Sequence, residues 1–169
     1  MYDVTLISAP LSLSISNLDE ITSGQEIDFT IDVTSNSNTV IKDALLSVEY
    51  PFGFEFVSSV PEPAFTDKVW DLGDIQPEGK RTIKLRGMIV GEDNEERVFR
   101  FSSGVRSEKD EKELEVAFVT SMKSVVIKKP FISVNLALNG DQESEYVAAI
   151  GNKVRADITW VNNMPVKVA

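Results

Sequence analysis

The sequence predicts an all-β fold in which two antiparallel sheets face each other across a hydrophobic core. Apolar and polar residues alternate with a period of two in several segments, and no helical period is sustained along the 169 residues. Turn-forming clusters of Gly, Pro, Asn and Ser separate these segments at intervals of roughly 8–12 residues, which is typical of β-sandwiches and barrels. Hydrophobic residues make up 42% of the chain, which is enough for a packed core.

The clearest strand is residues 26–34, where four apolar side chains alternate with acidic residues and threonines. Residues 80–90 and 112–121 repeat this pattern of one buried and one solvent-facing side. In chain order, the predicted strands are 10–16, 26–34, 43–50, 54–60, 66–71, 80–90, 96–105, 112–121 and 123–127. The predicted structural core consists of Ile27, Phe29, Ile31, Val33, Phe54, Phe56, Trp70, Leu72, Ile83 and Leu85.

The last part of the sequence repeats the first. Residues 125–130 resemble residues 5–10 at an offset of 120. The alternating residues that follow Gly24 reappear after Gly151, at an offset of 127. A period of about 120 residues is too long for a solenoid and is typical of tandem β-sandwich domains.

This repeat predicts a tandem arrangement with an incomplete second copy. Residues 10–129 are predicted to form a complete sandwich, residues 130–169 the opening strands of a second module, and residues 1–9 the terminal strand of a preceding module or a linker. The alignment places Trp160 on the core-facing position of Val33. About forty residues cannot bury a core. We therefore expect the incomplete copy to lean on the complete module, to self-associate through open strand edges, or to stay loose, and the chain to belong to a longer protein.

Three segments resemble the conserved-repeat immunoglobulin-like domains of bacterial and archaeal surface proteins. Residues 50–59 (YPFGFEFVSS) resemble their Pro-x-Gly turn and following strand, and residues 69–77 (VWDLGDIQP) resemble their Trp-x-Leu-Gly motif. Residues 24–38 resemble their strand that begins with Gly-Glu and ends in Asn-x-Ser. The whole chain is also similar to extracytoplasmic regions of uncharacterised membrane-anchored proteins from small uncultured bacteria.

The resemblance implies an immunoglobulin-like sandwich that acts as a non-catalytic structural or spacer module of a modular cell-surface or secreted protein. It implies an extracytoplasmic location, with the targeting or anchor segment outside this sequence, and neighbouring modules of the same chain as partners. The alternative is a ligand-binding adhesin domain for a glycan or a protein. One departure is visible: the family has Pro-Gly-Glu where this chain has Pro77-Glu78-Gly79, and we expect Gly79 to take the positive φ.

The implied topology places the strand at 26–34 beside the strand at 80–90. Acidic residues on the first strand would then face basic residues on the second, as cross-strand ion pairs of about 0.2–1 kcal/mol each. The residues are Glu26, Asp28 and Asp32 on one strand and Lys80, Lys84 and Arg86 on the other. The alternative interpretation of this basic stripe is a polyanion-binding site.

Composition excludes several classes of function. The chain has no histidine and no cysteine, which excludes disulfides, zinc sites built on imidazole or thiolate, and triads that use a histidine base. A net charge of −10 repels phosphate backbones and anionic lipids, so we predict no nucleic-acid partner and no direct membrane contact. Four carboxylates, Asp67, Asp71, Asp74 and Glu78, lie in one region, and we interpret them as a solvated acidic loop because no aromatic cleft accompanies them. We predict that the protein is not an enzyme and needs no cofactor.

One acidic turn is a candidate calcium site. Glu92, Asp93, Glu95 and Glu96 place hard oxygen ligands between two predicted strands, although their spacing does not match an EF-hand. A solubilising hairpin tip is the competing interpretation. A calcium ion at this turn would assist the alternative function, that of a ligand-binding adhesin domain.

Overall fold

A computed structural model describes residues 9–130, 132–142 and 145–163. The strands are β1 (Leu11–Ser16), β2 (Glu20–Thr22), β3 (Glu26–Ser35), β4 (Ile41–Glu49), β5 (Phe54–Val60), β6 (Val69–Ile75), β7 (Lys80–Ile89), β8 (Glu96–Arg106), β9 (Leu114–Lys128), β10 (Ile132–Leu138) and β11 (Ala156–Asn162). Within the described ranges no helix is long and apolar enough to span a membrane. The prediction for residues 1–9 falls almost entirely outside these ranges. Contacts divide the chain into two compact units, Met1–Lys128 and Lys129–Ala169.

The first unit is a β-sandwich, which confirms the predicted fold class. One sheet has four strands in the order β1-β3-β7-β5, and the other has five in the order β2-β9-β8-β4-β6. The short β2 runs parallel to β9, whereas the other described pairings of these sheets are antiparallel. Successive strands from β4 to β7 alternate between the two sheets, so the chain crosses the core three times in this region.

The predicted strands differ from the observed ones at three places. The strand predicted at 66–71 is β6, which begins at Val69 and continues to Ile75, so Asp71 and Asp74 both lie in a strand. β2 has only three residues, which is too short for an alternating pattern to be visible. The two strands predicted at 112–121 and 123–127 are one continuous strand, β9. Ser103 pairs with Val119 and Gly104 with Ala117, so Phe118 is an extra residue in β9. This β-bulge lies within the predicted strand 112–121 and shifts the alternation of β9 by one residue, so the apolar pattern does not continue in one phase into 123–127.

The core lies between the two sheets and is built from alternate residues. On β3, the side chains of Ile27, Phe29, Ile31 and Val33 are at most 1% exposed, and Ile83, Leu85, Trp70 and Leu72 are also buried. Phe29 contacts the rings of Phe99 and Phe101 on the opposite sheet, with centroid distances of 4.6 and 5.8 Å. These aromatic contacts join the two sheets directly.

Phe54 and Phe56 are half-buried and pack against the edge of this core. The ring of Phe54 fills the space beside Gly87, where a Cβ atom would lie 2.0 Å from the ring. Phe54 also stacks edge-on against Phe99 at 5.1 Å. Because Gly87 has no side chain, the ring of Phe54, the first residue of β5, can occupy this space.

The turn before β7 differs from the expectation at Gly79. Glu78 has a φ of 60°, and Gly79 lies outside the left-handed region. The amide of Gly79 donates to the carbonyl oxygen of Gln76 at 2.8 Å, which closes a four-residue turn with Pro77 in its second position. In this turn the third residue takes the positive φ. Glu78 occupies that position, so Glu78 adopts the left-handed conformation although a glycine follows it.

Glu78→Gly is expected to raise the free energy of unfolding by about 0.5 kcal/mol. Glycine removes the cost of a left-handed backbone at residue 78, about 1 kcal/mol, and the greater entropy of the unfolded chain offsets part of this gain. Urea unfolding followed by circular dichroism measures the difference. Gly79→Ala is the matched control, because its Cβ would lie 2.8 Å from the Gln76 carbonyl oxygen and should destabilise. Destabilisation by Glu78→Gly would show that the turn has another geometry.

Candidate functional site

The outer face of β3 and β7 carries charges of both signs that pair with each other. Lys80 Nζ lies 2.8 Å from a carboxylate oxygen of Asp32, and Arg86 Nε donates to Asp28 Oδ1 at 2.7 Å. Arg86 also lies 3.6 Å from Glu26. The antiparallel register of β3 and β7 produces these contacts and confirms the predicted cross-strand ion pairs. Two of the three bases in the predicted stripe, Lys80 and Arg86, are therefore paired within the sheet.

Asp32 is held by two neighbouring residues of β7. It accepts a hydrogen bond from Thr82 Oγ1 at 2.6 Å in addition to its contact with Lys80. Hydrogen bonds from Lys80 and Thr82 hold the pKa of Asp32 below its ordinary value, against a small opposing effect of desolvation. The folded state therefore favours the charged form of Asp32.

Asp32→Asn is expected to destabilise the protein at pH 7 by less than about 1 kcal/mol, because the pair is partly exposed. The folded pKa is lowered, so Asp32 contributes stability above its unfolded pKa of about 3.9 and loses that contribution as the pH falls through the folded pKa. Melting curves of both proteins at pH 7 and at about pH 2–3 should therefore converge at the lower pH. Glu55→Gln, an exposed carboxylate on β5, is the control. A difference that does not change with pH would contradict the assignment.

A depression of 480 Å³ opens on the same face where the register of β5 against β7 shifts after Phe56. Its polar lining includes Thr30, Ser58, Lys84 and Arg86. Lys84, the third base of the predicted stripe, lies opposite Thr30 in the register. The depression is open to solvent, whereas most small-molecule sites enclose most of the ligand surface. It can offer hydroxyl and ammonium groups to a polar ligand at the surface.

The acidic turn between β7 and β8 is organised by hydrogen bonds within the protein. Glu95 Oε2 accepts from the amide of Glu92 at 2.7 Å and lies 2.6 Å from Arg97 Nη2. Asn94 has a φ of 63°, and its Oδ1 accepts from Lys128 Nζ at 2.7 Å. Glu96 begins β8. The structure brings no three His, Cys, Asp or Glu side chains together as a metal-binding group in the ranges that it describes.

Calcium is expected to leave the melting temperature of the protein unchanged to within about 1 °C. A calcium ion at this turn would need the Glu95 carboxylate, which Arg97 and a backbone amide already hold. Scanning calorimetry with about 5 mM calcium and with excess chelator measures the effect. Glu95→Gln should lower the melting temperature equally in both buffers. A calcium-dependent rise that Glu95→Gln removes would support the calcium site instead.

The sequence predicts four carboxylates in a solvated acidic loop, but two of them, Asp71 and Asp74, lie on β6 and contact groups within the protein. Asp71 forms an ion pair with Arg106, and its Oδ1 accepts from the amide of Gly73 at 2.8 Å. Asp74 Oδ1 accepts from the amide of Asp43 at 3.2 Å, at an irregular position of β4. These carboxylates are used to fix backbone geometry. Glu78 lies at the turn described above, and the carbonyl oxygen of Asp67 accepts from the hydroxyl of Tyr50.

The second unit contains a two-stranded antiparallel sheet whose register matches that of β1 and β3. Leu11 pairs with Ser35, and Ile132 pairs with Asn162, so β10 corresponds to β1 at an offset of 121 and β11 corresponds to β3 at an offset of 127. The second offset is the one that the sequence indicates. The offset of 121 between β1 and β10 is one residue longer than the offset of 120 between residues 5–10 and 125–130. The second copy therefore has one extra residue before β10.

Hydrogen bonds at the ends of these strands also correspond. Asn36 Nδ2 donates to the carbonyl oxygen of Ala9 at 3.1 Å, and Asn163 Nδ2 donates to that of Pro130 at 2.8 Å. These donors and acceptors occupy equivalent positions at the offsets of 127 and 121. Each asparagine also contacts a serine on the neighbouring strand, although the donor differs. Ser12 Oγ donates to Asn36 Oδ1 at 3.5 Å, whereas Asn163 Nδ2 donates to Ser133 Oγ at 2.7 Å.

The turns that precede β3 and β11 correspond as well. Gly24 has a φ of 83° and Gly151 a φ of 88°. The amide after each glycine donates to the carbonyl oxygen three residues earlier, from Gln25 to Thr22 at 3.0 Å and from Asn152 to Ala149 at 3.2 Å. The left-handed conformation is accessible to glycine without strain, which explains why glycine occupies both positions.

The aligned apolar positions differ in burial between the two units. Trp160, which was expected in the core because it aligns with Val33, is 67% exposed. Ile158 is 69% exposed, whereas the equivalent Ile31 is fully buried. The alternation that identifies core residues shows only that these side chains share one face of a sheet, so it does not indicate whether that face is covered.

Comparison with known proteins identifies the fold. The sequence matches no protein-family model and no curated protein. Among solved structures, it is similar to AvmM, which catalyses macrocyclization in alchivemycin A biosynthesis, with a TM-score of 0.54 and 13% identity over 73% of this chain and 91% of that chain. It is also similar to the alpha-2-macroglobulin of E. coli, with a TM-score of 0.53 and 12% identity over 78% of this chain and 7% of that chain. A cohesin module from Clostridium perfringens gives a TM-score of 0.49 and 19% identity over 73% of this chain and all of that module. At these identities the likeness shows the fold alone, an immunoglobulin-like β-sandwich.

Proposed function

We propose that residues 10–129 are a non-catalytic structural module, a spacer, in a modular cell-surface or secreted protein of the conserved-repeat immunoglobulin-like type. The observation that carries this proposal is the copy of the β1–β3 arrangement in β10 and β11, with the same register, the same asparagine bridge and the same glycine turn. A chain that repeats the opening of a sandwich after completing one is organised as a tandem array of modules. The neighbouring modules are then its partners.

The use of polar side chains within the first unit supports a structural role. Lys80 and Arg86 on its outer face are paired across β3 and β7, and Asp71 and Asp74 on β6 accept hydrogen bonds from backbone amides. Trp70, the largest buried side chain, has its indole N–H bonded within the core, to Ser59 Oγ at 3.0 Å. These groups are occupied by contacts that stiffen the module, which is what a spacer requires.

An extracytoplasmic location is part of this proposal, and intact cells provide its test. Antibodies raised against the whole chain should label intact cells of the source organism, and an external protease should remove the epitope without lysis. Antibodies against a cytoplasmic enzyme of the same cells are the control. Labelling that appears only after lysis would overturn the cell-surface role, whatever the fold of the second unit.

The depression beside Lys84 favours one second candidate, a ligand-binding adhesin domain. Its hydroxyl and ammonium groups could bind a polar glycan or an acidic protein segment at the surface. Amide chemical shifts of β5 and β7, recorded during titration with neutral and acidic oligosaccharides, would identify such binding. Shifts that saturate and that Lys84→Ala removes would favour the adhesin role over the spacer.

A further inference from the structure

One face of the two-stranded sheet formed by β10 and β11 is apolar and exposed. In an antiparallel pair, side chains of directly opposed residues lie on the same face. Val134 opposes Trp160, and Leu136 opposes Ile158. Together with Ile132, these residues form what we call the β10–β11 face, and their side chains are 45–69% exposed. The opposite face carries Ser133, Asn135, Ala137, Asp157, Thr159 and Val161. The apolar character is therefore concentrated on one side.

The equivalent face of β1 and β3 is covered. Leu11, Ile15, Ile31 and Val33 occupy the positions of Ile132, Leu136, Ile158 and Trp160, and they are at most 8% exposed. They belong to one buried cluster with residues of β4 and β8 on the opposing sheet. In the first unit, an opposing sheet thus covers this arrangement of apolar residues. Its strand β4 contributes aliphatic side chains, and its strand β8 contributes phenylalanines.

We propose that the β10–β11 face is the docking surface for an opposing antiparallel β-sheet with the chemistry of β4 and β8, supplied by the strands of its own module. This inference rests on the proposed tandem organisation and specifies what completes the second module. We assign a sheet as the cover because a sheet covers the equivalent face of β1 and β3. The apolar surface to be covered is about 24 Å long. A lone two-stranded sheet is marginally stable in water, so the cover also stabilises the strands.

A second copy of the chain is a poorer occupant of this face. Two strands of seven residues present roughly 250 Å² of surface, from a rise of about 3.4 Å per residue and a strand spacing of about 4.8 Å. Stacking two such faces would bury roughly 500 Å², whereas specific interfaces bury about 1,200–2,000 Å². The net charge of −10 also opposes association of two copies.

The test supplies the proposed cover for β10 and β11 from strands of the first unit. Residues 37–128 are appended after Asn163, which occupies the position of Asn36, so that the appended strands can close over β10 and β11. Hydrogen exchange with mass spectrometry then follows peptides 132–138 and 156–162, which are unique in the fusion. We expect exchange in both peptides to slow by at least about tenfold relative to the 169-residue chain.

A matched fusion removes the risk that the side chains of the two copies do not fit. It carries I132L, V134L, L136I, A156F, W160V and N162S, which give the sheet the apolar residues of β1 and β3. In this fusion the same side chains meet the same strands as in the first unit. Unprotected β10 and β11 in the matched fusion would therefore overturn the proposal, whether or not the appended strands fold.

Two substitutions and a concentration series complete the test. Val134→Glu, on the β10–β11 face, should abolish the slowing in the fusion, whereas Thr159→Glu, on the opposite face, should leave it. Equal effects of the two would contradict the assigned face. Exchange that slows with rising concentration of the 169-residue chain would identify a second copy as the occupant and overturn the proposed one. These outcomes are independent of the cell-surface test, because they concern only the assembly of the second module.

Discussion

Trp70→Ala is expected to lower the free energy of unfolding of the first unit by about 3–5 kcal/mol, the range for removal of a buried aromatic side chain. Trp70 is fully buried on β6, in the same cluster as the residues of β3 and β7. Its Nε1–H donates to Ser59 Oγ at 3.0 Å and to the carbonyl oxygen of Pro61 at 3.2 Å. The substitution therefore removes the packing of the indole and also its hydrogen bonds to Ser59, near the end of β5, and to Pro61, just after it.

Urea unfolding, monitored by far-ultraviolet circular dichroism, measures this loss. Trp160→Ala is the matched control, because it makes the same chemical change at a side chain that is 67% exposed. We expect the control to change the unfolding of the first unit by less than about 0.5 kcal/mol. Trp70→Phe keeps part of the ring volume and should lie between the two. A loss below about 1 kcal/mol for Trp70→Ala would contradict the position of Trp70 between the sheets.

The alternation of residues predicts the sandwich well wherever a strand has one covered face. Residues 26–34 and 80–90 were predicted as neighbours and are paired as β3 and β7. Their ion pairs follow, because a known register fixes which outward side chains oppose each other. The bulge at Phe118 could not be predicted from the sequence. One extra residue reverses which side chains of the strand face the core, but no change in the composition of the strand marks its position.

The candidate sites were less predictable than the fold for a related reason. The acidic turn looks like a set of oxygen ligands in the sequence, but Glu95 and Arg97 lie two residues apart at the start of β8 and reach each other. Trp160 has the pattern of a core residue, yet it is 67% exposed. A sequence pattern identifies side chains that share a face, whereas the partner of that face depends on contacts elsewhere in the chain.

Gly104→Ala is expected to destabilise the first unit by about 3 kcal/mol, the upper part of the range for overpacking in a core. A Cβ at residue 104 would lie 1.8 Å from the carbonyl oxygen of Val116 and 2.9 Å from its carbonyl carbon. Both atoms belong to the backbone of β9, so relief requires movement of a strand that is hydrogen-bonded to β8. A flexible side chain could rotate away, but a paired backbone cannot.

Gly104 also marks the position where β9 carries its extra residue, opposite Phe118. The missing side chain lets the bulged strand approach β8 closely. Equilibrium unfolding in urea measures the cost, with Ser102→Ala on the exposed side of the same strand as control. We expect the control to lose less than about 0.5 kcal/mol. If Gly104→Ala were as stable as the control, β8 and β9 would not be paired in this register with the bulge at Phe118.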